Sequence, residues 1–190
     1  KAFYNTLIKN IIIPKTLNII GESAFSRCLQ LNKIEIPEDS ELQIIEKNAF
    51  FNSNIESILI PSSLTHLCDG WCDGLKNLTH IKIMPKNPFY TYFKEKYIIQ
   101  KSNPKTEIYD VLVFARRDIQ KAIIPSFIKR IAPYAFDSCL QLKSIEFLTN
   151  SSLQIIDKFA FQHSPIESIS IPSHVTRINE GAFNSCRKLE

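Results

Sequence analysis

The sequence predicts an α/β repeat solenoid, and three observations carry that prediction. An Ile-x-Ile-Pro phrase recurs as Ile11-Ile12-Ile13-Pro14, Ile34-Glu35-Ile36-Pro37, Ile58-Leu59-Ile60-Pro61 and Ile169-Ser170-Ile171-Pro172. An Ala-Phe pair recurs at Phe3, Phe25, Phe50, Phe136, Phe161 and Phe183, at a constant offset from the first phrase. A longer period overlies both: Phe25 maps to Phe136, Phe50 to Phe161 and Pro61 to Pro172, each a shift of 111 residues (136 − 25).

Each element of the unit has a physical reading. Alternating Ile-x-Ile is the period of a strand with one buried face. Proline ends it, because proline brings no N–H to a sheet ladder. The following x-x-Leu-x-x-Ile crosses to a second side, and x-x-x-Ala-Phe-x-x-Cys-x-x-Leu returns, predicted as a short helical or 3-10 turn. Equivalent residues stack as ladders, so each coil is stabilised by its neighbours. A unit of about 22 to 25 residues lies within the range of leucine-rich repeats. The prediction is therefore a right-handed leucine-rich-repeat superhelix with a parallel sheet on its concave side. All of residues 1–190 form one domain, with two blocks of coils at 1–84 and 114–190. Between them, at about 85–113, an aromatic tract breaks the rhythm. It reads as a hairpin of strands Lys96–Lys101 and Ile108–Phe114 that projects from the stack. In the coil before it, Trp71-Cys72 replaces Ala-Phe and interrupts the phenylalanine ladder.

Composition agrees with a packed protein: 44% of residues are hydrophobic and 22% charged, a globular balance. The net charge of +4 is scattered, and nucleic-acid binding needs cations gathered on one face. No apolar run approaches the ~20 residues of a membrane-spanning helix. The chain opens on Lys1-Ala2-Phe3, inside a repeat, so it reads as a piece of a longer protein, and end-to-end self-association is expected of ends that interrupt a stack.

The combined phrase Ile-x-Ile-Pro-x-x-Leu-x-x-Ile-x-x-x-Ala-Phe-x-x-Cys-x-x-Leu resembles the BspA-like class of leucine-rich repeats over nearly the whole chain, nearest to the surface-antigen sets of protozoan parasites. The inserted hairpin before Pro125 is similar to an element of that family. The resemblance implies a cell-surface or secreted protein that adheres to host cells, matrix proteins or other microbes. It attaches to the repeat and carries over no binding residue.

The chemistry-bearing residues read mainly as structure. Of five cysteines, Cys28, Cys139 and Cys186 share one repeat position, where a small, weakly polar thiol packs well. An odd total argues against a fully paired disulfide framework. His66, Cys68, Cys72, Asp73 and His80 are of metal-ligating types, but Cys68-x-x-x-Cys72 lacks a second spaced pair, and a Cys68–Cys72 disulfide is the other alternative. No cofactor or metal is expected. Carboxylates such as Glu35 and Glu146 recur as repeat-surface residues rather than a converging pair, and no nucleophile has a positioned base, so the reading is not an enzyme. Asn77-Leu78-Thr79 and Asn150-Ser151-Ser152 are glycosylation sequons if the protein is exported.

A partner is expected on the outward positions of the strands: Lys33, Glu35, Ser57, Leu59, His80, Lys82, Lys121, Ile123, Ser144, Glu146, Ser168 and Ser170. The alternative surface is the hairpin's aromatics, Phe89, Tyr90, Tyr92, Phe93, Tyr97 and Tyr109, since such side chains favour interface cores. Set against it is the reading that they pack onto the solenoid. The partners implied are proteins, namely host matrix or cell-surface macromolecules, with no nucleic acid and no membrane insertion. The competing function is an intracellular scaffold or regulatory protein, cytoplasmic, which the unpaired cysteines favour.

Overall fold

The computed structural model describes residues 1–190. The chain divides into two compact units, Lys1–Tyr92 and Phe93–Glu190.

In the first unit the chain runs through β1 (Asn10–Ile12), β2 (Ile19–Ile20), β3 (Lys33–Glu35), β4 (Ile44–Ile45), β5 (Ser57–Ile60), β6 (His66–Leu67) and β7 (His80–Ile83). The odd-numbered strands form one parallel sheet in the order β1-β3-β5-β7, and the even ones a second, β2-β4-β6. The Ile-x-Ile phrases build the first sheet and the Leu-x-x-Ile segments the second. Alternation does what its period demands: Ile34, Ile36, Ile58 and Ile60 are buried, while Glu35 is exposed between them.

The third side of each coil is a ladder too, and here the predicted helical turn is corrected. Within one coil Ala24, Ser26 and Cys28 donate their N–H groups back three residues, to Gly21, Ser23 and Phe25. The alternate N–H groups of Ser23, Phe25 and Arg27 go instead to the next coil, to the carbonyls of Lys47, Ala49 and Phe51. A helix would claim every N–H for itself, so the stacking bonds break it into separate single turns. The backbone shows the cost. Residues two before and two after each ladder aromatic take the left-handed conformation, as at Ser23 (φ 55°), Arg27 (φ 60°), Asn48 (φ 57°) and Asn52 (φ 52°).

Strand spacing sets the aromatic ladder. Parallel strands lie about 4.7–4.9 Å apart, close to the offset-stacking distance of aromatic rings. Phe3–Phe25 and Phe25–Phe50 stack with centroids 5.2 and 5.7 Å apart. In the second unit Phe136–Phe161 and Phe161–Phe183 stack at 4.9 and 5.3 Å. The cysteine position beside them has a polar task that the sequence did not disclose. Cys28 Sγ donates to the Phe3 carbonyl (2.9 Å) and Cys186 Sγ to the Phe161 carbonyl (3.0 Å), each one coil back. Ser164 stands at the same position and donates to the Phe136 carbonyl at 2.7 Å.

β8 (Tyr90–Phe93) lies where one unit gives way to the next. The second unit contains β9 (Tyr97–Lys101), β10 (Tyr109–Ala115), β11 (Lys121–Ile124), β12 (Arg130–Ile131), β13 (Ser144–Phe147), β14 (Ile155–Ile156) and β15 (Arg177–Ile178). The predicted hairpin is present as the antiparallel pair β9–β10. It does not project. β10 pairs in parallel with β12, which continues to β14 and β15, so the hairpin extends the second-side sheet. The reason is apolar content: Ile98, Ile99, Leu112, Val113 and Phe114 are all buried. β11 and β13 form the counterpart of the first sheet, with Lys121 opposite Ser144 and Ile123 opposite Glu146. The last predicted strand, Ile169-Ser170-Ile171, is not paired as one. Its bonds to the preceding coil stop at Glu167 N–H to the Lys143 carbonyl, and Ile171 is left exposed.

A buried cation closes the second unit's turn side where the hairpin has displaced an Ala-Phe return. The Ala115 N–H takes the Ala135 carbonyl, the bond a ladder phenylalanine makes elsewhere. Beside it Arg117, 2% exposed, donates to the carbonyls of Ala115, Ala135 and Tyr134 and lies 4.2 Å from the centre of the Phe114 ring.

Candidate functional site

The first sheet places the predicted surface residues in columns. Asn10, Lys33, Ser57 and His80 lie side by side across β1-β3-β5-β7, and Leu59 lies beside Lys82. Lys33, Glu35, His80 and Lys82 are exposed, and Ser57 and Leu59 half-exposed. In the second unit Lys121, Ile123, Ser144 and Glu146 present the same two columns, with Ile123 44% exposed. Ser168 and Ser170 are exposed, outside any strand. Much of the charge is compensated locally: Lys33 pairs with Glu35, Lys82 with Glu38 and Lys121 with Glu146. Such exposed pairs contribute little to stability. They leave each unit with a near-neutral face, on which Ile12, beside Glu35, and Leu59 are apolar contacts in the first unit and Ile123 is one in the second.

The tract's aromatics divide. Tyr90 and Tyr97 are each 2% exposed and serve as sheet-edge caps. The Tyr90 hydroxyl accepts the N–H of Leu67 (2.8 Å), on β6 at the edge of the first unit's second sheet, and donates to the carbonyl of Thr65 just before it. Tyr97 does the same at β11, accepting the Ile123 N–H (3.1 Å) and donating to the Ile123 carbonyl. An unpaired edge strand templates unwanted pairing; here a side-chain hydroxyl covers it. Burial pushes both phenols up, from 10.0 to about 12. Asn87 ties the same tract down, donating to the Pro61 and Leu64 carbonyls and accepting from the Phe89 and Tyr90 N–H groups. Phe89, Tyr92, Phe93 and Tyr109 are half-buried.

The metal-ligating types do not gather. His66 lies in the second sheet and His80 in the first, Cys72 is in the core, and no three His, Cys, Asp or Glu side chains stand close enough to hold an ion. All five cysteines, Cys68 and Cys72 included, are free thiols. Burial raises the pKa of Cys68, Cys139 and Cys186, with Arg117 opposing it at Cys139. Of the sequon residues, Asn150 is exposed at a turn, and Asn77 is exposed with its side-chain amide donating to Asn54 Oδ1.

Two clefts were not anticipated. In the second unit one of about 340 Å³ is lined by Gln100, Lys101, Ser102, Asp110, Val111, Lys129, Arg130, Gln154 and Ile155. Its charges are internally satisfied: Asp110 accepts from Ser102 and faces Lys129, Lys101 holds Glu107, and Arg130 holds Asp157. The other, about 410 Å³, runs along the turn side of the first unit, lined by Asn5, Arg27, Leu29, Asn52, Ser53, Asn54, Gly74 and Lys76. Asn5, Arg27, Asn52 and Gly74 all stand two residues past the ladder position, and each has a positive φ. That column was visible in the sequence as a polar position beside each Ala-Phe pair.

Two-sided parallel stacking with ladders of Ile, Phe and Cys defines a leucine-rich-repeat solenoid. The sequence matches the BspA type Leucine rich repeat region, in six copies, over residues 1–110 and 106–190. The chain belongs to that family. Its fold is similar to that of pneumococcal vaccine antigen PcpA, with a TM-score of 0.80 at 21% identity, covering 97% of this chain and 50% of that one. It is also similar to a leucine rich cell surface protein from Faecalibacterium prausnitzii, with a TM-score of 0.65 at 23% identity, covering 96% and 59%. A third likeness is to a leucine-rich repeat protein from Eubacterium ventriosum, with a TM-score of 0.68 at 20% identity, again covering 96% and 59%. The chain thus spans half to about three-fifths of the length of these three structures. No curated protein sequence matches it significantly. No helix is long and apolar enough to cross a membrane.

Proposed function

We propose that these 190 residues act as one non-catalytic binding domain of a cell-surface protein, adhering to host or microbial macromolecules. The observation that carries the reading is the in-register outward face of the first sheet, where Lys33, Ser57 and His80 align across coils and Leu59 lies beside Lys82. A rigid, backbone-bonded sheet presents such columns at fixed spacing, so a partner loses little binding energy to ordering the surface. Family membership and the likeness to a leucine rich cell surface protein of Faecalibacterium prausnitzii support the location. Ile123 and Glu146 offer a face of the same kind within the second unit, and the half-buried Phe89, Tyr92, Phe93 and Tyr109 are auxiliary contacts.

The test is antibody labelling of intact source cells, followed by binding of the chain to matrix proteins. Labelling without permeabilisation, with binding weakened at least about 10-fold by Leu59→Asp as for a central contact, is the expected result. Labelling only after permeabilisation overturns the adhesive reading. It would favour the second reading, an intracellular scaffold, which the free thiols support because unpaired cysteines suit a reducing compartment.

A further inference from the structure

We propose that the groove on the turn side of the first unit is a binding site for an acidic saccharide. The site is separate from the sheet face assigned above and stands or falls independently of it. Four features of the groove lead to this class of ligand.

The first is charge. Arg27 and Lys76 line the groove and no acidic side chain does. The ion pairs of this unit are Lys15–Asp39, Lys33–Glu35 and Lys82–Glu38, so the two groove cations are uncompensated. Uncompensated cations in a concavity concentrate anions.

The second is the hydrogen-bonding set. Asn5, Asn52 and Asn54 supply carboxamides, and a carboxamide both donates and accepts, as a sugar hydroxyl does. Asn54 Oδ1 is engaged by Asn77, which leaves the Asn54 amide group as the donor on offer. Gly74 permits the close approach that places Asn52 here: a Cβ at Gly74 would stand 2.2 Å from Asn52 Oδ1.

The third is Ser53. It lines the groove, is 4% exposed, and its hydroxyl has no hydrogen-bond partner. It occupies the ladder position where Cys28, Ser164 and Cys186 each donate to a phenylalanine carbonyl one coil back. An orphaned buried hydroxyl costs stability; here it stands at the floor of a polar groove, where a ligand hydroxyl or anion would satisfy it.

The fourth separates a saccharide from a peptide. Peptides that dock on a repeat edge use backbone bonds. Along this groove the backbone N–H groups of Asn5, Arg27 and Asn52 already go to the carbonyls of Ser26, Phe51 and Asp73. Recognition falls to side chains alone. Leu29, 65% exposed at the rim, offers an aliphatic ledge for the C–H face of a sugar ring. The volume of about 410 Å³ lies in the small-ligand range.

The test titrates the whole chain calorimetrically with a heparin tetrasaccharide, neutral maltotetraose and a hexaglutamate peptide. The heparin fragment is expected to bind at least about 10-fold more tightly than either of the others, from charge complementarity added to hydroxyl recognition. Arg27→Ala with Lys76→Ala should lower that affinity about 10-fold or more, and Ser53→Ala severalfold. All three side chains can be trimmed without removing an internal bond, and unchanged thermal unfolding verifies the fold. The exposed Lys158→Ala, in the second unit, should bind as the unmodified chain does. Four results overturn the proposal: no binding of the heparin fragment, hexaglutamate binding as tightly, equal loss on Lys158→Ala, or no loss on removing Arg27 and Lys76.

Discussion

Replacing Phe161 with alanine tests the stacking account of this fold most directly. Phe161 is fully buried and sandwiched between two rings, Phe136 at 4.9 Å and Phe183 at 5.3 Å. Truncating a buried phenylalanine costs about 3–5 kcal/mol in transfer and cavity terms. Each lost aromatic pair adds about 0.5–1.5 kcal/mol. The backbone ladder holds neighbouring coils at their spacing, so the cavity cannot collapse, and the upper half of the range applies, about 5 kcal/mol. Phe3 offers the internal comparison. It is 37% exposed and stacks on Phe25 alone, so Phe3→Ala should cost no more than about 2 kcal/mol by the same reasoning. The assay is urea unfolding, read as a shift in midpoint at constant slope. A cost for Phe161→Ala below about 2 kcal/mol, or equal to that of Phe3→Ala, would refute the claim that ring stacking between coils holds the repeats together. A change in slope would instead show that the coils no longer unfold as one unit.

Three other perturbations follow from named contacts. Arg117→Met keeps volume but removes the donors to three carbonyls in the second unit's core; it should lower stability by about 3 kcal/mol, and a melting temperature unchanged from the unmodified protein would refute the role given to that cation. Tyr90 and Tyr97 have folded pKa values raised from 10.0 to about 12. A raised pKa contributes stability that is full below the unfolded value and lost as pH climbs through the folded one. Unfolding free energy should therefore fall between about pH 10 and 12, by up to ~3 kcal/mol for each phenol. Thermal melts of Tyr90→Phe and Tyr97→Phe should show a flatter alkaline limb, and one as steep as the unmodified chain's would contradict the edge-cap assignment. The pKa values of Cys68, Cys139 and Cys186 are raised by burial, so native-state alkylation near neutral pH should be slow and should accelerate on denaturation; prompt modification of Cys139 in the folded protein would count against its place in the ladder.

The repeat made most of this architecture readable in one dimension. Ile-x-Ile-Pro encodes a strand and its stop by period and by a missing donor, and the equal offsets of Phe25, Phe50, Phe136 and Phe161 encode a stack, because only a stack gives equivalent residues equivalent neighbours. Where the chain departs from the repeat, its meaning depended on partners that no spacing reveals. The return segment reads as helical in isolation, yet the N–H groups of Ser23, Phe25 and Arg27 are drawn to the next coil and the helix is forfeited. Tyr90 and Tyr97 look like contacts on offer to a partner until the sheet edges they cover are located. Ser53 looks like a serine in a cysteine's place, and only its missing bond beside Arg27 and Lys76 marks a groove. Local pattern determines which residues turn inward, because burial follows periodicity. Which hydrogen-bonding groups remain unspent depends on contacts between coils about 22 to 25 residues apart, and those exist only once the chain is wound.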